Sequence, residues 1–339
     1  MVNEHRKHAG LIVAVGDALV RHCADYRRAM LVFKRTVYER DLGHKIDPER
    51  LAKMAGAVDD TLLAYAARLA ETGVKVRSDA PPATEERASP EFKSTIENAD
   101  HVLHSFLEDV RMGAMFLVSS KSALYLKDVT CASAGVTPKP GDGFRTIIGF
   151  DKSNGSVDHA TNTLTPSGAH PPAVMANVLD YTRRVIWMNQ QMPGVGISQA
   201  KVDISSAFKH VGVALSSVNR VATQLGGRTV TWPTEEEVLE AVTARSRVGQ
   251  LPREGSCDSA GPVDPATVAA VRDALDPPVG GYGGFGSLVV VGFYLCLPFG
   301  WNVSPANYTV FGHTQNSTHC TRDPQRKTGR ACRNIRIGR

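Results

Sequence analysis

The chain has 339 residues, 42% of them apolar and 22% charged. That is more than one ordinary core organises and apolar enough to exclude wholesale disorder. The formal charge of +5 is concentrated at one end. Seven basic residues and one acid, Asp323, lie between Arg322 and Arg339, so this segment nets +6 and the rest of the chain nets −1. The basic balance therefore describes the tail rather than the body.

Residues 8–73 have helical periodicity, through Leu11, Val15, Leu19 and Cys23 and then Met30, Phe33 and Val37. A second helix starts at Asp47-Pro48-Glu49, a cap followed by proline at the first helical position, and stops at Gly73. Residues 74–90 hold Pro81, Pro82 and Pro90 among mixed charges and read as a linker. A third helix runs from Ser89-Pro90-Glu91 to Gly113. Ala134 to Pro138 and Phe144 to Phe150 then form two strands joined by a Pro140-Gly141-Asp142-Gly143 turn.

Residues 153–171 read as loop, Val174 to Met188 as helix, and Ala200 to Ile204 as a short strand with a helix starting at Ser205. Residues 216–287 are the least coherent part. They contain two helix signals, a capping box of Thr234 with Glu237 and an Asp264-Pro265 start leading to Leu275. Leu288 to Leu297 reads as a buried strand, too short for the ~20 residues of a membrane-spanning helix.

Several familiar patterns are excluded. The six cysteines show no paired spacing, which points to a reducing compartment rather than a disulfide framework. His313, His319, Cys320 and Cys332 fit no zinc spacing. Gly281-Tyr-Gly283-Gly-Phe-Gly286 lacks the preceding strand and following helix of a dinucleotide loop and reads as a turn. Asp17 and Arg21 interrupt the N-terminal apolar run, which is thus unlike a signal peptide, and the expected location is the cytoplasm or nucleus. The sequons at Asn302, Asn307 and Asn316 read as chance matches.

Three segments carry possible chemistry. Gly135 to Ile148 is a hairpin bearing Lys139 and Arg145, which can clamp an anionic group or stand as a solvated pair. In Lys201-Val-Asp203-Ile-Ser-Ser-Ala-Phe208 an acid ends an apolar strand, which suits a Mg²⁺ ligand or a helix cap. Leu297-Pro-Phe-Gly-Trp301-Asn-Val-Ser304-Pro-Ala-Asn-Tyr308 crowds glycine and proline between strand and helix, allowing close backbone approach to a ligand or simply a turn.

In this order the segments resemble the fingers and palm of retrotransposon reverse transcriptases. The hairpin is similar to the pattern P-K-P-x-G-x-x-R, the second segment to D-[IV]-x-x-A-[FY], and the third to L-P-F-G-W-x-x-S-P-A-x-[YF]. Val102 to Ala134 resembles the lead-in of tyrosine-recombinase (DIRS-like) elements. The resemblance covers roughly 95–212 and 288–316.

It implies an α+β fold, in which an incomplete antiparallel palm sheet backed by helices follows a helical N-terminal region. It implies that Asp203 binds catalytic Mg²⁺, that Lys139 and Arg145 hold an incoming deoxynucleoside triphosphate, and that Phe208 is a steric gate against a 2′-hydroxyl. Phe299, Gly300 and Ser304 would pack beside the nascent base pair, and the macromolecular partner would be an RNA or DNA template-primer.

The departures are specific. The family's second palm carboxylates sit in a Tyr-x-Asp-Asp hairpin, whereas the only acid after Tyr308 is Asp323. One carboxylate cannot hold two metal ions against a triphosphate, so a truncated, catalytically inactive polymerase is expected, or a non-enzymatic nucleic-acid-binding or helical interaction protein derived from one. Gly149 stands where an Asp is common and Asp151 where a basic or polar residue is common. The expected organisation is a helical region 1–80, a linker 81–95, fingers and first palm motif 96–215, an insertion or irregular segment 216–287, the Leu-Pro-Phe-Gly-Trp segment 288–318, and a basic, disordered tail 319–339.

Overall fold

The computed structural model describes residues 2–34, 46–47, 49, 51, 53, 60–77, 91–123, 129–141, 143–151, 160–171, 178–194, 196, 206–246, 265–275, 277–278 and 281–311. Asp203, the candidate zinc residues and the basic tail lie outside them.

The helices are α1 (Val2–Cys23), α2 (Tyr26–Phe33), α3 (Asp60–Thr72), α4 (Lys93–Glu97), α5 (Ala99–Arg111), α6 (Ser120–Ala123), α7 (Thr161–Leu164), α8 (Val178–Gln191), α9 (Glu235–Ser246) and α10 (Pro265–Asp273). The strands are β1 (Met115–Ser119), β2 (Cys131–Lys139), β3 (Gly143–Gly149), β4 (Ala222–Thr231) and β5 (Phe285–Tyr294). They form one sheet in the order β1-β5-β4-β2-β3. The fold is α+β, as expected. The sheet is mixed rather than purely antiparallel, because β2 and β4 pair in parallel through Cys131 to Ser133. The β1–β5, β4–β5 and β2–β3 pairings are antiparallel.

Helices α1 and α5 pack against the sheet and touch each other, with Arg6 paired to Asp100 and His5 stacked on His104. Apolar residues on one stripe of each helix drive this, Val13 and Leu19 from α1 and Leu103 and Phe106 from α5. Gly10 and Gly16 allow α1 to lie close. A Cβ at Gly10 would stand 2.3 Å from the Thr231 carbonyl oxygen, and one at Gly16 would stand 2.1 Å from that of Leu117.

Local signals explain most boundaries. Asp25 caps α2 by accepting the Arg27 N–H at 2.9 Å. At Asp47 the expected cap also forms, its carboxylate accepting the Glu49 N–H at 2.9 Å. Gly73 and Gly113 adopt positive φ where the helices before them stop. The Thr234 and Glu237 box closes in both directions, at 3.2 and 2.8 Å. Gly281 and Gly283 form a turn into β5, not a phosphate loop opening a helix.

Three differences from the sequence reading have physical causes. The helix expected to run unbroken into Gly113 splits at Asn98, whose side chain turns back to the Ser94 carbonyl at 2.9 Å. Residues 222–231, inside the segment read as an insertion or irregular, form β4 at the middle of the sheet. Gly226 and Gly227 disguise this strand. Its register shifts between Leu225 and Arg228, and Glu91 satisfies the irregularity by accepting the Gly226 N–H and pairing with Arg228. An incomplete palm sheet, as the resemblance implies, would leave an unpaired edge beside the apolar run Leu288 to Leu297. Its strand is instead interior, with β1 and β4 on either side, and Leu295 and Leu297 continue the pairing by donating to the Ala114 and Val211 carbonyls.

Candidate functional site

The Leu-Pro-Phe-Gly-Trp segment leaves the end of β5 and turns at Gly300. Gly300 has φ +104°, and a Cβ there would lie 2.3 Å from the Ile148 carbonyl oxygen of β3. Only glycine fits this contact without displacing the strand. The turn is thereby seated on the base of the hairpin that carries Lys139 and Arg145.

Asn162 of α7 fastens the same turn. Its amide donates to the Gly300 carbonyl at 3.0 Å, its side-chain oxygen accepts the Asn302 N–H at 2.8 Å, and its own N–H donates to the Phe150 carbonyl. Residues 153–171 read as loop from their sequence, and no periodicity in them reveals this role. It is a long-range partnership that only the closed fold creates.

Trp301 is buried and meets His170 edge to face at 5.8 Å, with its indole N–H directed at the Thr165 hydroxyl. His170 Nδ1 lies 3.1 Å from the Asn307 amide nitrogen. Burial, with Arg77 nearby, holds the imidazole below its ordinary range, so it is neutral at neutral pH. Asn307 is fully buried, which removes one of the three sequons as a modification site. Ser304 is also buried, and its hydroxyl donates to the Pro298 carbonyl at 2.8 Å. Ser304 braces the turn from inside and offers no surface to a ligand.

Phe299 has the opposite disposition, with 58% of its surface exposed. Its ring stands 5.8 Å from that of Phe208, and Phe208 meets Tyr308 at 5.6 Å. Phe208 sits on the single 3₁₀ turn Ala207–His210, entered through Ser206 at φ +53°. Its neighbour Lys209 pairs with Asp109 of α5. Burial raises the Asp109 carboxyl above its usual range, and Lys209 opposes that shift. Asp109 gave no motif signal, because it looks like one more charge near the end of a helix.

Lys139 and Arg145 are exposed. The register Thr137↔Arg145 and Lys139↔Gly143 puts both on one face of the hairpin. Phe92 covers the base of that face, 3.1 Å from where a Cβ would stand at either Gly135 or Gly149. The glycine at 149, a departure from the resemblance, has a local setting: a side chain there would press on the Phe92 ring, which would have to give by a few tenths of an ångström. On the other face Phe144 contacts His101 of α5.

Three segments far apart in sequence therefore meet: the base of the hairpin, the turn bearing Phe208, and the Leu-Pro-Phe-Gly-Trp turn. No group of three or more His, Cys, Asp or Glu among the described residues is placed to hold a metal ion. No helix among them is long and apolar enough to cross a membrane. Comparison with protein-family models, curated proteins and solved structures found no match.

Proposed function

We propose that this chain is built on the fingers hairpin and first palm elements of a retroelement reverse transcriptase, and that these 339 residues on their own hold nucleic acid without extending it. One observation carries the reading. Phe208, the steric gate that the resemblance implies, stands against Phe299 and Tyr308 of the Leu-Pro-Phe-Gly-Trp segment, while Gly300 of that segment lies on the hairpin strand. The described part of the second motif, Ser206 to Phe208, thus lies with the other two motifs, which supports the reading.

The proposed contact surface consists of exposed Phe299, which offers a face for base stacking, and Lys139 and Arg145, which offer charge to phosphates. Mg²⁺ enters this reading through Asp203 alone. Asp109, the buried carboxylate on α5, is engaged by Lys209. The donor set described does not fit a two-metal centre, so no catalytic step is derived through the ion.

Fluorescence anisotropy with an RNA–DNA primer-template across a salt series tests the reading. Binding is expected, and each cation removed in Lys139→Ala and Arg145→Ala should lower the slope of log affinity against log salt by about 0.9 or less. An unchanged slope in the double variant removes the hairpin from the interface. Primer extension with Mg²⁺ and deoxynucleotides, expected to fail, would overturn the inactive assignment if it occurred and were abolished by Asp203→Ala.

A further inference from the structure

A second site lies on residues that none of the three motifs contains. A cavity of about 200 Å³ opens where α3 ends, between the C-terminal half of that helix, the extended residues 74–77 and His170. Tyr65, Arg68 and Thr72 line it from one face of α3, at the spacings that bring helical neighbours together. Lys75 and Arg77 alternate along the extended segment, which Val74 joins to Gly212 and Ala214 through its N–H and carbonyl. The volume is below the roughly 300–1,000 Å³ of drug-sized pockets, so the cavity suits an ion-sized group.

We propose that this cavity binds a phosphate group, as the free ion or as a small phosphate monoester. Among the described residues its lining has three cations, Arg68, Lys75 and Arg77, and no acid. Neutral groups position two of the three. The Arg68 guanidinium lies over the Tyr65 ring at 5.1 Å, and Arg77 donates to the Ala169 carbonyl at 2.8 Å. Neither contact neutralises a charge, and each guanidinium keeps further N–H donors. None of the three cations pairs with a carboxylate among the described residues. Glu71 lies on α3 outside the lining. The end of α3 also brings carbonyl oxygens, which would favour a cation. Those of Arg68 and Leu69 are engaged by the Thr72 hydroxyl and the Gly73 N–H, and that of Val74 by the Ala214 N–H.

His170 is an independent observation for the same ligand. It is 8% exposed and lines the cavity. Its Nδ1 accepts from the Asn307 amide nitrogen at 3.1 Å, and that nitrogen also donates to the Val303 carbonyl, which fixes the amide orientation. The proton of the neutral ring is therefore on Nε2. This Nε2–H is buried and has no hydrogen-bond partner among the described residues. Buried donors are ordinarily satisfied. A phosphate oxygen in the cavity becomes the missing acceptor after a small turn of the ring, while Lys75 and Arg77 meet the dianionic charge.

The experiment titrates the full chain with inorganic phosphate by calorimetry, at a pH where phosphate is dianionic, with nitrate at matched ionic strength as the control. We expect one saturable phosphate site per chain with a Kd at or below about 1 mM, and no saturation with nitrate. Lys75→Gln and Arg77→Gln should each weaken phosphate by about tenfold. Lys75 is exposed, so its variant should keep the wild-type unfolding midpoint and separates loss of binding from loss of fold. Nitrogen NMR should show the His170 Nε2–H signal shifting as phosphate saturates. Methyl phosphate distinguishes the sources: binding as tight as that of phosphate supports a monoester, and its exclusion supports the free ion. Lack of saturable phosphate binding, an equal response to nitrate, or indifference to both Lys75→Gln and Arg77→Gln would each overturn the inference. These titrations contain no nucleic acid, so this site and the proposed function can fail separately.

Discussion

The rings of Phe208 and Phe299 stand 5.8 Å apart and tilted by 37°, one from a single 3₁₀ turn and the other from the turn after β5. Tyr308 closes the cluster from the helical run 304–311. Phe299 remains exposed while Trp301, two residues on, is buried. The turn is therefore an anchor on one side and a presented aromatic on the other. Its anchoring residues can be tested separately from its exposed one.

Gly300→Ala should destabilise the fold by at least about 2 kcal/mol, because the new Cβ meets the Ile148 carbonyl oxygen while φ stays in the left-handed region. Urea unfolding followed by tryptophan fluorescence measures this. Wild-type stability in the variant would mean that the turn does not lie against β3 as described.

Lys209 and Asp109 form a testable pair. Lys209→Met should cost about 2–3 kcal/mol, because it strands a buried carboxylate, with a discount for the partial exposure of the lysine. The double variant Lys209→Met, Asp109→Leu should recover most of that loss. A double-mutant cycle by chemical denaturation reads the coupling, and strictly additive losses would show that the two residues act independently.

His170 sets a pH dependence whose sign follows from its lowered pKa. Between its folded value and the ordinary 6.5, the unfolded chain holds the proton more readily than the folded one. The contribution of His170 to stability is therefore present above pH 6.5 and declines as the pH falls through that window. His170→Gln should flatten this part of the stability profile. An unchanged slope between neutral pH and pH 5 in the variant would assign the effect to other groups.

Much of the local structure was legible without tertiary information. The stops at Gly73 and Gly113, the Thr234–Glu237 box and the hairpin around Pro140-Gly141 each rest on interactions a few residues apart in sequence, and the strand after Gly286 was legible from its apolar run alone. The convergence of the hairpin base with the Leu-Pro-Phe-Gly-Trp turn became visible only in three dimensions. Strand β4 was hidden because paired glycines and an arginine in its middle erase the alternating pattern, and Glu91 supplies the missing partners from outside the strand.

Asn162 and Asp109 were illegible for a related reason. A polar residue carries no periodic signal, and its partners at Gly300, Asn302 and Lys209 come near only when the sheet forms. The sequence by itself determined the helix ends, the hairpin and the motif trio, since backbone sterics, capping and residue spacing act over short distances. Only the tertiary structure decided which strand occupies the middle of the sheet, that Ser304 turns inward while Phe299 faces out, and that a cationic cavity opens at the end of α3. These depend on long-range burial and on where each polar group finds its partner, which local order does not encode.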